Sequence, residues 1–592
     1  MHRRIAVVVT AAAALAMALA GATAGGVRAA DQVTLTVGLM QDIDSPNVTA
    51  GYLVSSFELW NMQYAALTDK AADDFATTPG LAEKWTSSSD GLTWTYTLRE
   101  GLKWSDGTSL TADDVAWTIN TSRDQGWINH SSVTANLTAT AKDDRTVEVV
   151  TSVPDPKLPT LDVYILPKHI WEKPAEGDIT TYEALDGVGS GPFTLSQRNA
   201  GQDWTMVANP NFWRGKPSID QVVFRVFSEG SAMVAALESG EIDFVHDVPS
   251  ELFDGLKDKP DIKTVVGNQG GFNELAMNGM QGGLGDGHPA LQDLTVRHAI
   301  AKAIDRAALL ERVANGQGQL VGTIGVSPDP AWNPEIPADI RLDYDPDGAK
   351  KLLDDAGYVD ADGDGVRDMP DGSRPLRFRY AELSDSDSAG PTRELITGWL
   401  KEIGIDTEVS TYDQTQLTDV IAAGEYDLFA WGWTPFVDPD PQLSYFTCAQ
   451  LTTDIESVGY NDANWCDPAY DELYTKQNQE LDRAKRIEIV HEMLLKFYSE
   501  GTYVVLYHSA DTQAYRTDRF SGWLQQPKGT GPVLFSNTSP TWWNLQVVSG
   551  GGDGGGGLSP AVIAAIVGGV VAAIAASFAA MRSRRQRQDD EE

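Results

Sequence analysis

Positive charge is scarce in this chain: 45 Lys and Arg stand against 84 Asp and Glu, a formal net charge of −39 over 592 residues. Such a field repels phosphate backbones, and no Lys/Arg-rich stripe reverses it locally, so nucleic acid is excluded as a partner. Cysteine is scarcer still. Cys448 and Cys466 are the only two, too few for a disulfide-framework scaffold or an iron–sulfur protein. The remainder, 42% hydrophobic and 22% charged, is the composition of a globular chain, with room for about two to four domains.

Catalytic constellations are lacking as well. His491-Glu492 begins a zinc-protease motif, but Leu495 stands where the second His must lie one turn on. Ser190 sits among glycines, yet Val188 occupies the first Gly position of a nucleophile elbow. Gly316 and Gly318 lack the third glycine of a dinucleotide loop and follow a helix pattern instead of a strand. Asp113-Asp114 and Asp143-Asp144 read as helix starts or surface turns. Nothing in the chain calls for an enzyme, and no cofactor is required.

The two ends carry targeting signals. His2, Arg3 and Arg4 precede an Ala-rich apolar run from Ile5 to Ala24, and Val27-Arg28-Ala29 offers a small-residue cleavage site. This is the order of a secretory signal peptide, residues 1–29. No Cys lies near the cleavage zone, which excludes a lipid anchor there. Residues 546–559 are a Gly-rich linker. Residues 560–581 hold a charge-free stretch that spans roughly 30 Å as a helix, one hydrocarbon core. Arg582, Arg584, Arg585 and Arg587 follow it, which places the tail 582–592 in the cytoplasm. The expected topology is a protein on the outer face of the plasma membrane, tethered by a C-terminal transmembrane helix. In that compartment Cys448 and Cys466 are expected to pair; the alternative, a two-ligand metal fragment, has no accompanying His cluster.

Between the ends, strand patterns alternate with amphipathic helices, the mark of α/β layers. Val33–Leu39, Thr93–Leu98 and Thr146–Val150 alternate apolar and polar residues as strands do. Leu294–Val313 predicts one helix with Thr295 as its N-cap, and Leu481–Tyr498 a second. Gly279–His288 is Gly-rich and reads as a mobile loop. Two features suggest binding. Trp431-Gly432-Trp433 ends a strand-like segment and would set bulky aromatics at a strand end, where open α/β sheets bind ligands; the alternative is core filling. Asp360, Asp362, Asp364, Val366, Asp368 and Asp371 match the ligand positions of a 12-residue calcium loop, with Gly365 at its required turn. A helix over 347–356 precedes that loop and an extended segment, Leu376–Tyr380, follows. A structural Ca2+ is the expectation, an Asp/Gly-rich surface turn the alternative.

Several motifs, in order along the chain, resemble one family. They are Leu81–Trp85 with Asp90–Thr108 and Thr111–Val115, then Gly189–Phe193, Asn209–Trp213, Val296–Arg306 and Tyr426–Trp433. Together they are similar to the signature of family 5 extracellular solute-binding proteins, the peptide- and nickel-binding components of ABC importers. The resemblance covers about 33–545. It implies a bilobed periplasmic-binding-protein-like clamp of class II type, with lobe I from 31–268 plus a returning segment 509–545, and lobe II from 269–508. Ligand would sit between the lobes, and the closed state would dock on a permease served by an ATPase subunit. The implied ligand-binding residues are Trp431, Trp433, Phe436 and Asp438. Peptide binders of this family carry a carboxylate just after the loop tryptophan that pairs with the peptide ammonium. Thr434-Pro435-Phe436-Val437 has none. Either Asp438 takes over that contact, or the ligand has no free amino terminus. Oligopeptides are the expected ligand, with sugars and metal chelates as alternatives; a tethered receptor that signals without transport, or a surface hydrolase, is the rival function.

Overall fold

One sheet of eleven strands runs through the chain. In the computed structural model, which describes residues 32–548 apart from 128, 385, 387 and 536–539, its strands are β1 (Thr34–Leu39), β2 (Phe193–Asn199), β3 (Asp203–Ala208), β4 (Gln221–Val226), β5 (Phe244–Val245), β6 (Ile262–Met277), β7 (Gly318–Gln319), β8 (Arg377–Leu383), β9 (Asp406–Tyr412), β10 (Leu428–Trp433) and β11 (Tyr503–Arg516). Their spatial order is β9-β8-β10-β6-β11-β5-β1-β4-β3-β2, with β7 against β11. The expected signal peptide, transmembrane helix and cytoplasmic tail, and most of the linker, lie outside the described residues. Among the described residues no helix is long and apolar enough to cross a membrane.

The sheet divides into two parallel sets bridged by two long antiparallel strands. β1 pairs in parallel with β4 and β5, and β8 pairs in parallel with β9 and β10. β6 and β11 pass from one set to the other and pair with each other along most of their length. β5 is antiparallel to β11 and β10 antiparallel to β6. Both parallel sets therefore aim their C-terminal ends at the middle of the bridge, the edge at which open α/β sheets take ligands. The ladder breaks there. Asn268 pairs with Ala510 and Phe272 with His508, so residues 269–271 bulge out opposite Ser509. Gly270 stands in the bulge with φ +77°, and a Cβ on it would meet Ser327 O at 2.6 Å, so the turn and its close approach both require glycine.

Each half has its own core. Alternation in β1 and β4 buries Leu35, Val37, Leu39, Val222 and Phe224 in the first. The second is split by the sheet: Leu275, Met277, Val296 and Ile300 lie on one face, Phe272, Phe429, Trp465 and Phe497 on the other. A four-stranded antiparallel sheet (Ala82–Ser87, Thr93–Leu98, Leu137–Ala141, Thr146–Thr151) is attached to the first half. The helix Ala112–Gln125 covers it, started by a Thr111/Asp114 capping box and stopped by left-handed Gly126.

Local chemistry corrects two readings. Leu294–Val313 is not one helix but two, Leu294–Ala303 and Arg306–Val313. Asp305 accepts from Ala308 N and caps the second, while Ile304 is extended. The cap of the first is Asp293, which accepts from Thr295 N; Thr295 lies inside the helix. Gly279–His288 is irregular, as expected, but it is tied down by Gly279 N to Ala463 O at 2.8 Å, Gln281 N to Asn464 O at 2.9 Å and His288 N to Asp427 Oδ1 at 2.7 Å.

Candidate functional site

The two tryptophans stand in the last three residues of β10, directly opposite the end of β6 that enters the second half. Trp433 pairs with Phe272 and Trp431 with Glu274. Both indoles are half-buried against the aromatic core beneath. Trp433 packs on Tyr445 at 5.1 Å between centroids, and Tyr445 stacks on exposed Tyr460 at 4.9 Å. Such pairs contribute about 0.5–1.5 kcal/mol each beyond the area they bury. The stack forms an aromatic wall from the sheet to the surface. Phe436 lies 48% exposed on the loop that follows.

Asp438 has partners within the fold. Arg486 donates to both of its oxygens at 2.7 Å, and Asp438 also accepts from Asp440 N at 2.9 Å. Arg486 is 4% exposed, donates its Nε–H to Gln477 at 2.9 Å and lies over Trp332. Burial alone would lower the Arg486 pKa, but the Asp438 carboxylate outweighs it and holds the guanidinium charged. A bidentate pair of this kind already satisfies the carboxylate. These bonds tie the loop after Trp433 to the helix Arg483–Glu500.

Its neighbour Asp440 reaches across the molecule. Lys157, from the first half, donates to Asp440 Oδ2 at 2.9 Å and lies 3.9 Å from Asp155. Gln477 donates to the other Asp440 oxygen at 3.2 Å. Burial opposes ionisation of both partners, yet each charge overcomes it: Lys157 is raised and Asp440 lowered from their ordinary values. A second bridge between the halves, Asn315 Nδ2 to Ser250 Oγ at 2.6 Å, is uncharged.

Two carboxylates near the tryptophans escaped the sequence reading. Glu274 is fully buried, and neither of its oxygens has a hydrogen-bond partner. Burial, then the nearby Asp462 charge, push its pKa far up. Asp462 accepts from Tyr503 OH; burial raises it to about 7 although that hydrogen bond works the other way. The available signal was a lone Glu between Phe272 and Ala276 on the inward face of an apolar strand.

In the first half, His246 follows β5 at the same central edge. It lies 3.1 Å from Asp511 and 3.2 Å from Asp247, with its ring 4.4 Å from Phe535. His246, Asp247 and Asp511 could hold a metal ion, as could Asp360, Asp362 and Asp368 of the expected calcium loop. That loop is a run of Asx turns: Asp360 accepts from Gly363 N and Gly365 N, Asp362 from Asp364 N, and Asp364 from Val366 N. Asp371, the expected twelfth ligand, is not part of that cluster and accepts from Ser373 N at 2.9 Å. Cys448 and Cys466 form a disulfide, with Cα atoms 4.7 Å apart, which sets aside the metal-fragment alternative.

An α/β clamp with two facing strand-end edges, joined by two continuous strands and furnished with aromatics at the junction, is the architecture of a solute-binding protein. The chain belongs to the bacterial extracellular solute-binding proteins, family 5: the model of that family's middle region matches residues 76–452. The family is one of binding proteins and not of enzymes. The chain is 27% identical to the oligopeptide-binding protein AppA of Bacillus subtilis over 392 residues, covering 64% of this chain and 68% of that one. The di/tripeptide-binding protein 2 of Pseudomonas aeruginosa is 26% identical over 521 residues, covering 82% and 91%. The nickel-binding periplasmic protein of Escherichia coli is 25% identical over 373 residues, covering 60% and 67%. The solved AppA structure, in complex with a nonapeptide, superposes with a TM-score of 0.66 at 24% identity, over 84% of this chain and 97% of that one. The bilobed fold is thereby shared.

Proposed function

We propose that the protein is the extracellular substrate-binding subunit of an ABC importer and captures oligopeptides between its two halves. The observation that carries this reading is the placement of Trp431 and Trp433 at the strand-end edge beside the break between Asn268 and Phe272, with Phe436 exposed on the next loop. Aromatic faces there can stack on peptide planes and side chains without dictating sequence. The names of the B. subtilis and P. aeruginosa relatives point the same way. The strand break supports lobe boundaries at 268/269 and 508/509, with 31–268 and 509–545 as lobe I and 269–508 as lobe II. Closure would present both lobes to a permease and its ATPase.

A second reading, capture of a metal chelate, draws on the loop 434–437, which holds no acid, on the commitment of Asp438 to Arg486, and on the name of the E. coli relative. We further propose that the signal peptide 1–29 is removed, that 560–581 anchors the protein in the membrane, and that the turns around Asp360, Asp362 and Asp368 bind a structural Ca2+. The test of function is native mass spectrometry of protein purified from a secreting host, before and after gentle denaturation. A released ligand with the mass of a short peptide is the expected result; a metal chelate or a sugar would overturn the peptide assignment.

A further inference from the structure

Glu274 is the strongest unexplained group in the molecule. The first two acids after Trp433 in sequence are already engaged, Asp438 by Arg486 and Asp440 by Lys157. Glu274 is not. It rises from β6 between Phe272 and Ala276, on the face it shares with its cross-strand partner Trp431. It is 0% exposed, both carboxylate oxygens lack a partner, and among the described residues no basic side chain forms an ion pair with it. A buried carboxylate left unpaired is costly, and a methionine would fill the same position without that cost. Among the described residues the charge that acts on it is that of Asp462, another acid, which makes the position worse for an anion and better for a cation. The walls suit a cation too, since Trp431, Trp433 and Tyr503 offer aromatic faces and edges on this side of the sheet. The Trp433 Nε1 is also buried without a well-aligned acceptor.

We infer that Glu274, seconded by Asp462, seats a cationic group of the ligand, a primary ammonium or a guanidinium. This rests on the peptide-capture reading above and deepens it. It places the ammonium contact on the strand, at Trp431, instead of on the loop after Trp433. The cation has two sources, the peptide's amino terminus or a Lys/Arg side chain; the chemistry at Glu274 is the same. A ligand bearing neither would leave both acids without a cation.

Four probes are titrated by calorimetry into the full chain stripped of co-purified ligand: trialanine, N-acetyl-trialanine, N-acetyl-Ala-Lys-Ala and N-acetyl-Ala-Met-Ala. At least one cationic probe is expected to bind about tenfold or more tightly than its neutral counterpart, the order of effect of one buried charged contact. Trialanine against N-acetyl-trialanine reads the amino terminus, and the Lys peptide against the Met peptide reads the side chain. Glu274→Gln is expected to erase the margin while N-acetyl-Ala-Met-Ala stays within about twofold, and Asp462→Asn to reduce it. Near-ultraviolet circular dichroism and a melting temperature no lower than wild type show that Glu274→Gln is folded. Equal binding of charged and neutral probes, or an equal loss on all four in Glu274→Gln, overturns the inference and leaves peptide capture standing. If none of the four binds, peptide capture falls and the inference falls with it.

Discussion

Replacing Lys157 with methionine should loosen the contact between the two halves. At 2.9 Å from Asp440, with an effective dielectric of about 20, the gross attraction is roughly 6 kcal/mol. Desolvation of the two groups cancels much of that, and they remain 18% and 13% exposed, so the pair is neither fully buried nor a surface pair. A net loss of about 2–3 kcal/mol is expected, below the roughly 3–5 kcal/mol of a fully buried pair. The change is worse than the loss of one attraction, because Asp155, Asp438 and Asp440 all act on Lys157 and would be left with Arg486 as the cation they share. Asp440→Asn should be milder, since Lys157 keeps Asp155 at 3.9 Å. With roughly 1 kcal/mol per degree of unfolding entropy for about 500 ordered residues, Lys157→Met should lower the melting temperature by about 2–3 °C. Small-angle scattering of the unliganded protein should show a larger radius of gyration. An unchanged radius together with a melting shift under about half a degree would refute the reasoning and make the pair an incidental contact.

Three further outcomes are expected. Mutating Cys448 and Cys466 to serine together opens a loop of sequence separation 18 and should cost about 3 kcal/mol in the chain-entropy account, read as a melting shift of about 3 °C that reductant reproduces in the wild type. Millimolar calcium chloride should raise the melting temperature, with a Kd of about 10⁻⁴–10⁻³ M by calorimetry, and Asp362→Asn should abolish the rise; a rise that survives in the variant would place the ion elsewhere. Stability should fall as pH rises from about 5 to 9. Burial lifts Asp462 and Glu58 to about 7, so their contributions are complete below the unfolded carboxylate values and disappear as pH passes 7. Burial works downward on His246, but Asp511 and Asp247 outweigh it and raise it to about 9, so its contribution is complete below its unfolded value of 6.5 and is lost through 9. Melting temperatures flat across that range would contradict these environments.

The architecture was largely legible because motif and periodicity agree. Thr93–Leu98 is a strand at the bounds its alternation predicts, and Asp114 starts a helix as its pairing with Asp113 suggests. The break at Ile304 was hidden because Asp305 caps a second helix without interrupting the apolar stripe. The Trp431-Gly432-Trp433 alternation announced itself, while the real commitments of the neighbouring acids did not. Lys157 and Asp440 are 283 residues apart, and Arg486 meets Asp438 over 48; tertiary ion pairs leave no local trace. Glu274 was hidden for the opposite reason. One acid in an apolar run does not disturb a strand pattern, and only the packing of Phe272 and Ala276 around it shows that it points inward.

The bulge at 269–271 interrupts the bridge at a single level, and the ladder resumes on either side of it. Two ribbons fastened in this way behave as a leaf spring with one compliant section: they flex readily about one axis and resist twist or slide. Whatever occupies the cleft, the molecule then has a single number to transmit, the angle between its halves. On the proposed function, chemical identity would be read at the tryptophans and presence reported by the angle. A binding protein built this way would be able to change its clientele, through Phe436 or Glu274 for instance, without altering the gesture a membrane partner has to recognise.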